Sequence, residues 1–348
     1  MKNIRKFETT AEMESAVLTE SYVLYNEETE IIYTSPNAGS SDNEVDYSKE
    51  YLTFVALEDG IFSFTKKGTG DDIQYSLDNG GTWVTLASGV RTPTITAGSE
   101  ILWKSTIVPK INIGIGTFSS SGSFDTQGNV MSLLFGNDYN DKTDLSGEIH
   151  AFYRLFDKSK VVNASNLKLP ATTLDNSCYR EMFIGCTSLT IAPELPATTL
   201  DGHCYEYMFR GCTSLTKAPV LPATTLADWC YGSMFSGCTS LTTAPELPAT
   251  TLPDNCYSGM FKGCTNLITA PELPATTLAH GCYDGMFLAC TSLNHITMLA
   301  TSIGYNSLTN WVDGVPSTGT FVKHPDMTSL PTGYDGIPNG WTVEDADI

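Results

Sequence analysis

The sequence predicts a mainly β protein built around a solenoid of 26-residue repeats, preceded by a small antiparallel β-sandwich and an N-terminal helix–hairpin module. Three observations predict this architecture. The hexapeptide LPATTL recurs five times at a spacing of 26 residues, all ten cysteines lie in the repeated region, and the preceding segment alternates apolar with polar residues. A unit of this length cannot bury a core alone, whereas stacked units share a continuous one.

Residues 1–48 are expected to form an attachment or oligomerisation module followed by a linker. Thr9 and Glu12 fit a capping box that begins a short helix over 11–17. The segments YVLY and EIIYT have the composition of two strands of a hairpin, and the polar residues 36–48 are typical of a linker. The alternative is an ordinary small subdomain without an attachment role.

Residues 49–110 are expected to form the antiparallel β-sandwich, because segments such as YLTFVAL and EILWKS alternate with period two. Asn79-Gly80 is a strong hairpin turn signal. The surrounding SLDNGGTW resembles the Asp box of sialidases, which is a structural hairpin outside their active centre. That centre also needs an arginine cluster, and three of the five arginines, Arg154, Arg180 and Arg210, lie inside or near the repeat. Sialidase activity is therefore not expected.

Residues 111–168 are predicted to be a bridge and an N-terminal cap, in which FYRLF at 152–156 imitates the repeat and seals its open end. The repeats occupy 169–303, and 304–348 form a C-terminal cap. Each repeat reads LPATTLxxxCYxxMFxxCTxL. The segment LTxAPxLP predicts a short parallel strand that stops at proline, and CYxxMFxGC predicts a helical turn. A strand, a corner, a helical turn and a return together describe a leucine-rich-repeat solenoid.

The cysteines are expected to be buried, reduced packing residues. Two cysteines recur in every repeat, eight residues apart, which is a poor match to zinc-site spacing. A disulfide framework is the alternative, since equivalent positions in stacked repeats lie about 4.8 Å apart.

Composition excludes several classes of function. The chain has 39 acidic and 19 basic residues, a formal charge of -20, whereas nucleic-acid binders carry a basic stripe. No 18-residue apolar run exists, so membrane insertion is not expected. No secretory signal is visible, which predicts synthesis in a cytoplasm.

No motif for chemistry stands out. The sequence lacks HExxH, GxSxG and a phosphate-binding loop, so no catalytic, cofactor-binding or metal residues are predicted and the protein is expected not to be an enzyme. Asp138, Asp141 and Asp144 could hold calcium through their oxygens, and a solvated loop is the alternative. The variable repeat positions are expected to face solvent and to supply surface contacts; the candidates are Trp229, Tyr207, His203 and His280.

The repeat CTSLTTAPELPATTLPDNCYSGMFKGC resembles the BspA-like leucine-rich repeats of gut Bacteroidetes, over about 150–303. The segments before and after it are similar to those of proteins from Bacteroides phages and prophages, and the opening IRKFETTAEMESAV resembles the leader of crAss-like phage structural proteins. The resemblance implies a virion protein, a head or tail fibre or a decoration protein. Its repeats would then adhere to a host surface protein, a glycan or mucus.

The same resemblance implies that the N-terminal module contacts other virion proteins, that the chain forms a homotrimer, and that virions are released by lysis. One alternative is a BspA-like adhesin on the bacterial cell surface, which requires an export signal. Another is a glycan-processing enzyme.

Overall fold

A computed structural model describes residues 50–67, 72–106 and 114–348, together with the backbone of three short strands nearer the N-terminus. In this described part, fourteen strands and one four-residue helix, α1 (Ser132–Phe135), make the protein mainly β, as predicted.

The three N-terminal strands form one sheet. Strand β1 (Ile4–Phe7) pairs in parallel with β2 (Val23–Asn26), which pairs antiparallel with β3 (Ile31–Thr34). The helix predicted over 11–17 and the linker at 36–48 lie outside the described residues. The helix–hairpin module is not seen as a whole, but the predicted hairpin of YVLY and EIIYT corresponds to the antiparallel pair β2 and β3. Strand β1 was not predicted, because four residues are too few to show a period.

The middle of the chain contains a six-stranded sheet and a two-stranded sheet. The larger has the order β11-β10-β4-β8-β6-β7, parallel between β10 and β11 and antiparallel elsewhere. The smaller pairs β5 with β9 antiparallel. The strands are β4 (Leu52–Ala56), β5 (Phe62–Lys66), β6 (Ile73–Ser76), β7 (Val84–Leu86), β8 (Glu100–Ser105), β9 (Gly116–Ser120), β10 (Phe124–Asn129) and β11 (Asn166–Lys168).

These two sheets pack through aromatic rings. Phe54 of β4 lies 4.9 Å from Phe118 of β9 and 5.5 Å from Phe62 of β5, centroid to centroid. The β6–β7 hairpin turns at Asn79 and Gly80, whose positive φ values of 55° and 88° fit the predicted turn. The sheets predicted within 49–110 also take β9, β10 and β11 from beyond residue 110, so they extend toward the repeats.

The repeats stack as five rungs: rung 1 (169–194), rung 2 (195–220), rung 3 (221–246), rung 4 (247–272) and rung 5 (273–298). Their tyrosines form one column of parallel rings, with Tyr205, Tyr231 and Tyr257 separated by 5.9 and 5.8 Å. At one end Phe152 stacks on Tyr179 at 5.4 Å, and at the other Trp311 lies 6.5 Å from Tyr283. Phe152 of FYRLF therefore lies next to the first tyrosine of the column, and Phe156 stacks on Phe183 at 5.1 Å.

The CYxxMFxGC segment is not the helical turn that its spacing predicts. Some N–H groups donate three residues back, as Met208 N does to Tyr205 O (3.1 Å), and others donate to the next rung, as Phe209 N does to Met234 O (3.0 Å). His203 and Tyr207 have left-handed φ values of 59° and 58°. Because a helix requires negative φ throughout, hydrogen bonding between rungs replaces helix formation.

The LTxAPxLP segments do not form the continuous strands predicted for them. Within rungs 1 to 4, backbone pairing between neighbouring segments is reduced to isolated β-bridges, such as that of Ile191 with Lys217. Each segment carries two prolines, such as Pro193 and Pro196 in the segment 189–196, and proline has no N–H to donate. Rung 5 has no proline at the corresponding positions and there forms β12 (His295–Met298).

Strand β12 continues the stack into the C-terminal segment. It pairs in parallel with β13 (Thr320–Lys323), which pairs in parallel with β14 (Thr342–Asp345). Trp311 is fully buried under this end and its Nε1 donates to Gly336 O at 2.8 Å.

All ten cysteines are free and buried, so the prediction that they pack in the core is confirmed. The second cysteine of each rung donates its thiol hydrogen to a phenylalanine carbonyl of the preceding layer, at 3.1 Å from Cys212 Sγ to Phe183 O. Burial raises the pKa of Cys186 and Cys238 to about 12. These thiols are therefore protonated at neutral pH.

Candidate binding face

One side of the stack, here called the turn face, consists of the side chains between the tyrosine and the methionine of each rung and their neighbours. Two residues have a left-handed backbone in every rung: the one before the first cysteine and the one directly before the methionine. Their φ values in rung 2 are 59° for His203 and 58° for Tyr207. The same two backbone reversals therefore recur in every rung, one on each side of the buried Cys-Tyr pair.

Two glutamates lie almost completely buried beneath this face. Glu181 is 5% exposed and Glu206 is 3% exposed. Arg154 Nε donates to Glu181 Oε2 at 2.6 Å, and Arg180 Nε lies 2.8 Å from Glu206 Oε2. A buried carboxylate is tolerated only when it is paired, so each glutamate holds one guanidinium at a fixed place on the surface.

Two tyrosines lie among these cations. The Arg154 guanidinium is 5.4 Å from the Tyr153 ring centre, and Lys67 Nζ is 4.1 Å from the same ring. Tyr207 has Arg180 at 6.0 Å and Arg210 at 5.2 Å. Burial, and then the charge of the adjacent glutamate, raises the pKa of both tyrosines, so both phenols stay neutral.

Three of the four predicted contact residues meet in rungs 2 and 3. His203 stacks on Trp229 with ring centres 6.4 Å apart and planes 5° apart. His203 Nδ1 lies 2.8 Å from Glu206 Oε2, which places the pair next to Tyr207. The fourth, His280, lies at the far end of the stack, where it packs on Tyr305 at 5.8 Å.

Solvent exposure at the variable positions matches the prediction in part. Asp201, Asp228, Asp254 and His280 are exposed, and His203 and Trp229 are half-buried. Ser177 and Gly202, by contrast, are buried.

The prediction of contact residues did not include the arginines and glutamates that build this face. A signal for them is present in the printed sequence. The stretch between Tyr and Met reads Arg-Glu in rung 1 and Glu-Tyr in rung 2, then Gly-Ser, Ser-Gly and Asp-Gly in rungs 3 to 5. The change from large charged residues to small ones marks the first two rungs as different.

The predicted calcium ligands are not gathered into a site. In the described ranges, no three His, Cys, Asp or Glu side chains lie close enough to share a metal ion. Asp144 Oδ1 instead accepts a hydrogen bond from Ser146 N at 2.8 Å, and its hydrogen bonds to Ser146 lower its pKa.

The Asp box hairpin is satisfied internally. Asp78 accepts hydrogen bonds from Thr82 N (2.8 Å), Thr82 Oγ1 (2.7 Å) and Ser76 Oγ (2.7 Å). These hydrogen bonds lower the pKa of Asp78 to about 2, and the bond from the Thr82 N–H contributes most. Its carboxylate stabilises the turn.

Comparisons with known proteins identify no relative: no family model, curated protein or solved structure matches this chain. The described segments contain no helix with the length and apolar character needed to span a membrane.

Proposed function

We propose that this chain is a non-enzymatic adhesive protein whose 26-residue units form a leucine-rich-repeat solenoid. One observation carries the proposal. The Cys-Tyr and Met-Phe pairs, which recur in every rung, are buried, while the residues before the first cysteine and between tyrosine and methionine differ from rung to rung. A scaffold of this kind holds a rigid, variable surface for contact with a partner.

The state of the reactive side chains supports a non-enzymatic function. Burial keeps the thiols protonated, with a pKa of about 12 for Cys178 and Cys230, and a thiol of this kind is a poor nucleophile. The buried carboxylates of Glu181 and Glu206 are held in ion pairs, so they are tied to their arginines.

We further propose that the protein belongs to a virion, as a head or tail fibre or a decoration protein. The support is the resemblance of the repeats and their flanking segments to phage-encoded proteins. In this proposal the N-terminal module binds other virion proteins, the chain assembles as a trimer, and the repeats face a host surface protein or glycan. Several copies on one particle would strengthen weak contacts through avidity.

The adhesive function is tested by passing the full chain over envelopes and polysaccharides of candidate hosts. Retention without release of reducing sugar is expected. Released sugar would show an enzyme, and absence of retention on every surface would contradict adhesion. Mass analysis of purified particles tests the virion proposal separately, since a cell-surface adhesin would appear in envelopes and not in particles.

A further inference from the structure

We propose that the turn face of rungs 1 and 2 binds an anionic sugar chain, one that bears carboxylate or sulfate groups. The site is a basic–aromatic patch formed by Lys67, Tyr153, Arg154, Arg180, Tyr207 and Arg210. The inference rests on the proposed adhesive function and adds the chemical class of the ligand.

The charge of this patch opposes that of the whole chain. Arg154 and Arg180 are paired with Glu181 and Glu206. Lys67 is half-buried, and its Nζ donates to Tyr153 O at 3.2 Å. Arg210 is exposed and has no carboxylate within ion-pair distance in the described part of the chain. One arginine therefore remains available in a chain of formal charge -20, and an arginine fork suits carboxylate and sulfate oxygens.

The geometry of the patch is prepared before any ligand arrives. The buried glutamates fix Arg154 and Arg180, so their ordering is complete in the free protein, and preorganisation of this kind increases affinity. The Tyr153 and Tyr207 rings are half-buried and alternate with the cations. Each ring thus offers an apolar face beside a positive charge, which matches a sugar ring with apolar C–H groups and an acidic substituent.

The backbone of this face favours a sugar chain over an acidic peptide. An extended peptide commonly binds by pairing with free N–H and C=O groups of a strand edge. Here the N–H groups of Glu181 and Tyr207 donate to Glu206 O and Gly232 O of the next rung, both at 2.9 Å. The side chains are therefore left to bind the ligand, and they suit a ring bearing anionic groups.

The test compares two exposed cations that occupy the same place in different rungs. Arg210 in rung 2 belongs to the patch, and Lys262 in rung 4 is exposed, outside the patch, at the position 52 residues later (two periods of 26). Arg210→Gln and Lys262→Gln each remove one positive charge from the surface. Tyr207→Ser, which copies Ser233 of rung 3, removes the ring.

Binding of the full chain is measured against immobilised chondroitin sulfate, hyaluronan, dextran sulfate, uncharged dextran and poly-L-glutamate. At least one of the three charged polysaccharides is expected to bind, and dextran is not. Arg210→Gln should weaken that binding by about tenfold, the effect of one lost charge-assisted contact. Tyr207→Ser should weaken it by a similar factor, because it removes the apolar ring face that packs on the sugar. Lys262→Gln should change it by less than about twofold. Hyaluronan binding would identify carboxylate as the group recognised, and dextran sulfate binding would identify sulfate.

The proposal is overturned if no charged polysaccharide binds, if Lys262→Gln weakens binding as much as Arg210→Gln, or if poly-L-glutamate binds as tightly as the polysaccharides. Adhesion to host envelopes is measured in parallel with the same variants. Wild-type adhesion that survives both Arg210→Gln and Tyr207→Ser would leave the adhesive function standing and reject this site.

Discussion

Rungs 1 and 2 share their buried columns with rungs 3 to 5 and differ from them on the turn face. The Phe183–Phe209 rings of the first pair are 5.5 Å apart, and the Phe235–Phe261 rings further along are 5.8 Å apart. On the surface, a network of arginine, glutamate and tyrosine gives way to glycine and serine. Stacking therefore constrains the buried columns and leaves the side chains of the turn face free to vary.

The turn face opposes a backbone preference in the first three rungs. The second of the two residues between tyrosine and methionine has φ values of 56° at Glu181, 58° at Tyr207 and 50° at Ser233, and glycine occupies this place in rungs 4 and 5. Glycine adopts this region freely, whereas other residues lose roughly 1–2 kcal/mol there. In rungs 1 and 2 the residues at this place also make an ion pair and ring contacts.

Alkaline pH is expected to have the largest effect on stability. It tests whether the cysteines of all five rungs are equally buried. Burial raises the thiol pKa in the fold from 9.0 to about 12, for example at Cys178, Cys238 and Cys290. The folded pKa is the higher one, so stability is complete below pH 9 and is lost as pH rises toward 12. At pH 10 each such thiol should lower the free energy of unfolding by roughly 1 kcal/mol.

Six thiols have a pKa of about 12, which is enough to offset much of the usual stability of about 5–15 kcal/mol. Cooperative unfolding near pH 10, followed by circular dichroism, is expected. Thiol titration at neutral pH provides the control, since folded protein should not react and unfolded protein should show ten thiols. A structure that persists at pH 11 would contradict equal burial of the columns.

A smaller effect compares matching positions of the phenylalanine column. Phe209→Ala in rung 2 and Phe261→Ala in rung 4 should each lower the free energy of unfolding by about 3–5 kcal/mol, because both rings are fully buried between parallel neighbours. Urea denaturation measures both values. If the two losses differed by more than about 1 kcal/mol, the turn face would be shown to contribute to the packing of its rung.

The buried ion pair predicts an effect that separates the two regions. Glu206→Gln in rung 2 removes the charge that holds Arg180 and should lower the free energy of unfolding by about 1–3 kcal/mol; the partial exposure of Arg180 keeps the loss below that of a fully buried pair. Ser258→Ala, at the same position in rung 4, should change it by less than about 0.5 kcal/mol. If urea denaturation showed equal losses of unfolding free energy for Glu206→Gln and Ser258→Ala, the proposed difference between rungs 2 and 4 would be rejected.

The sequence predicts the columns well because a constant period fixes which side chains meet. Repetition of Cys-Tyr and Met-Phe is sufficient to place these residues inside, and the aromatic residues of FYRLF stack on the first tyrosine and phenylalanine of the columns. Local conformation is less predictable. Left-handed φ at a residue such as Tyr207 leaves no trace in apolar spacing, so the spacing of CYxxMF predicts a helical turn that does not form. The prolines that interrupt the ladder, Pro193 and Pro196 among them, were read as the ends of strands.

The composition of the turn face is only partly accessible from the sequence. Aromatic residues at variable positions, such as Trp229 and Tyr207, are found by comparing rungs. The pairing of Arg154 with Glu181 is not, because Arg154 lies in the bridge before the repeats, whose alignment with the rungs only the fold reveals. Likewise, β10 pairs with β4, although the sequence predicts residues 111–168 to be a bridge and cap outside the sandwich.

The smallest effect measures the backbone penalty that the basic–aromatic patch bears. Gly285 has φ 58°, and an added Cβ would meet no atom within 4 Å, so Gly285→Ala tests conformation alone. It should lower the free energy of unfolding by about 1 kcal/mol. Ala289→Gly is the reciprocal change, because Ala289 has φ 61° at a position where the other rungs carry glycine. It should raise the free energy of unfolding by a similar amount. Opposite signs in urea denaturation would establish the penalty at Glu181 and Tyr207. Equal signs would mean that the left-handed turns are not strained, and that the side chains of rungs 1 and 2 need no compensating contacts.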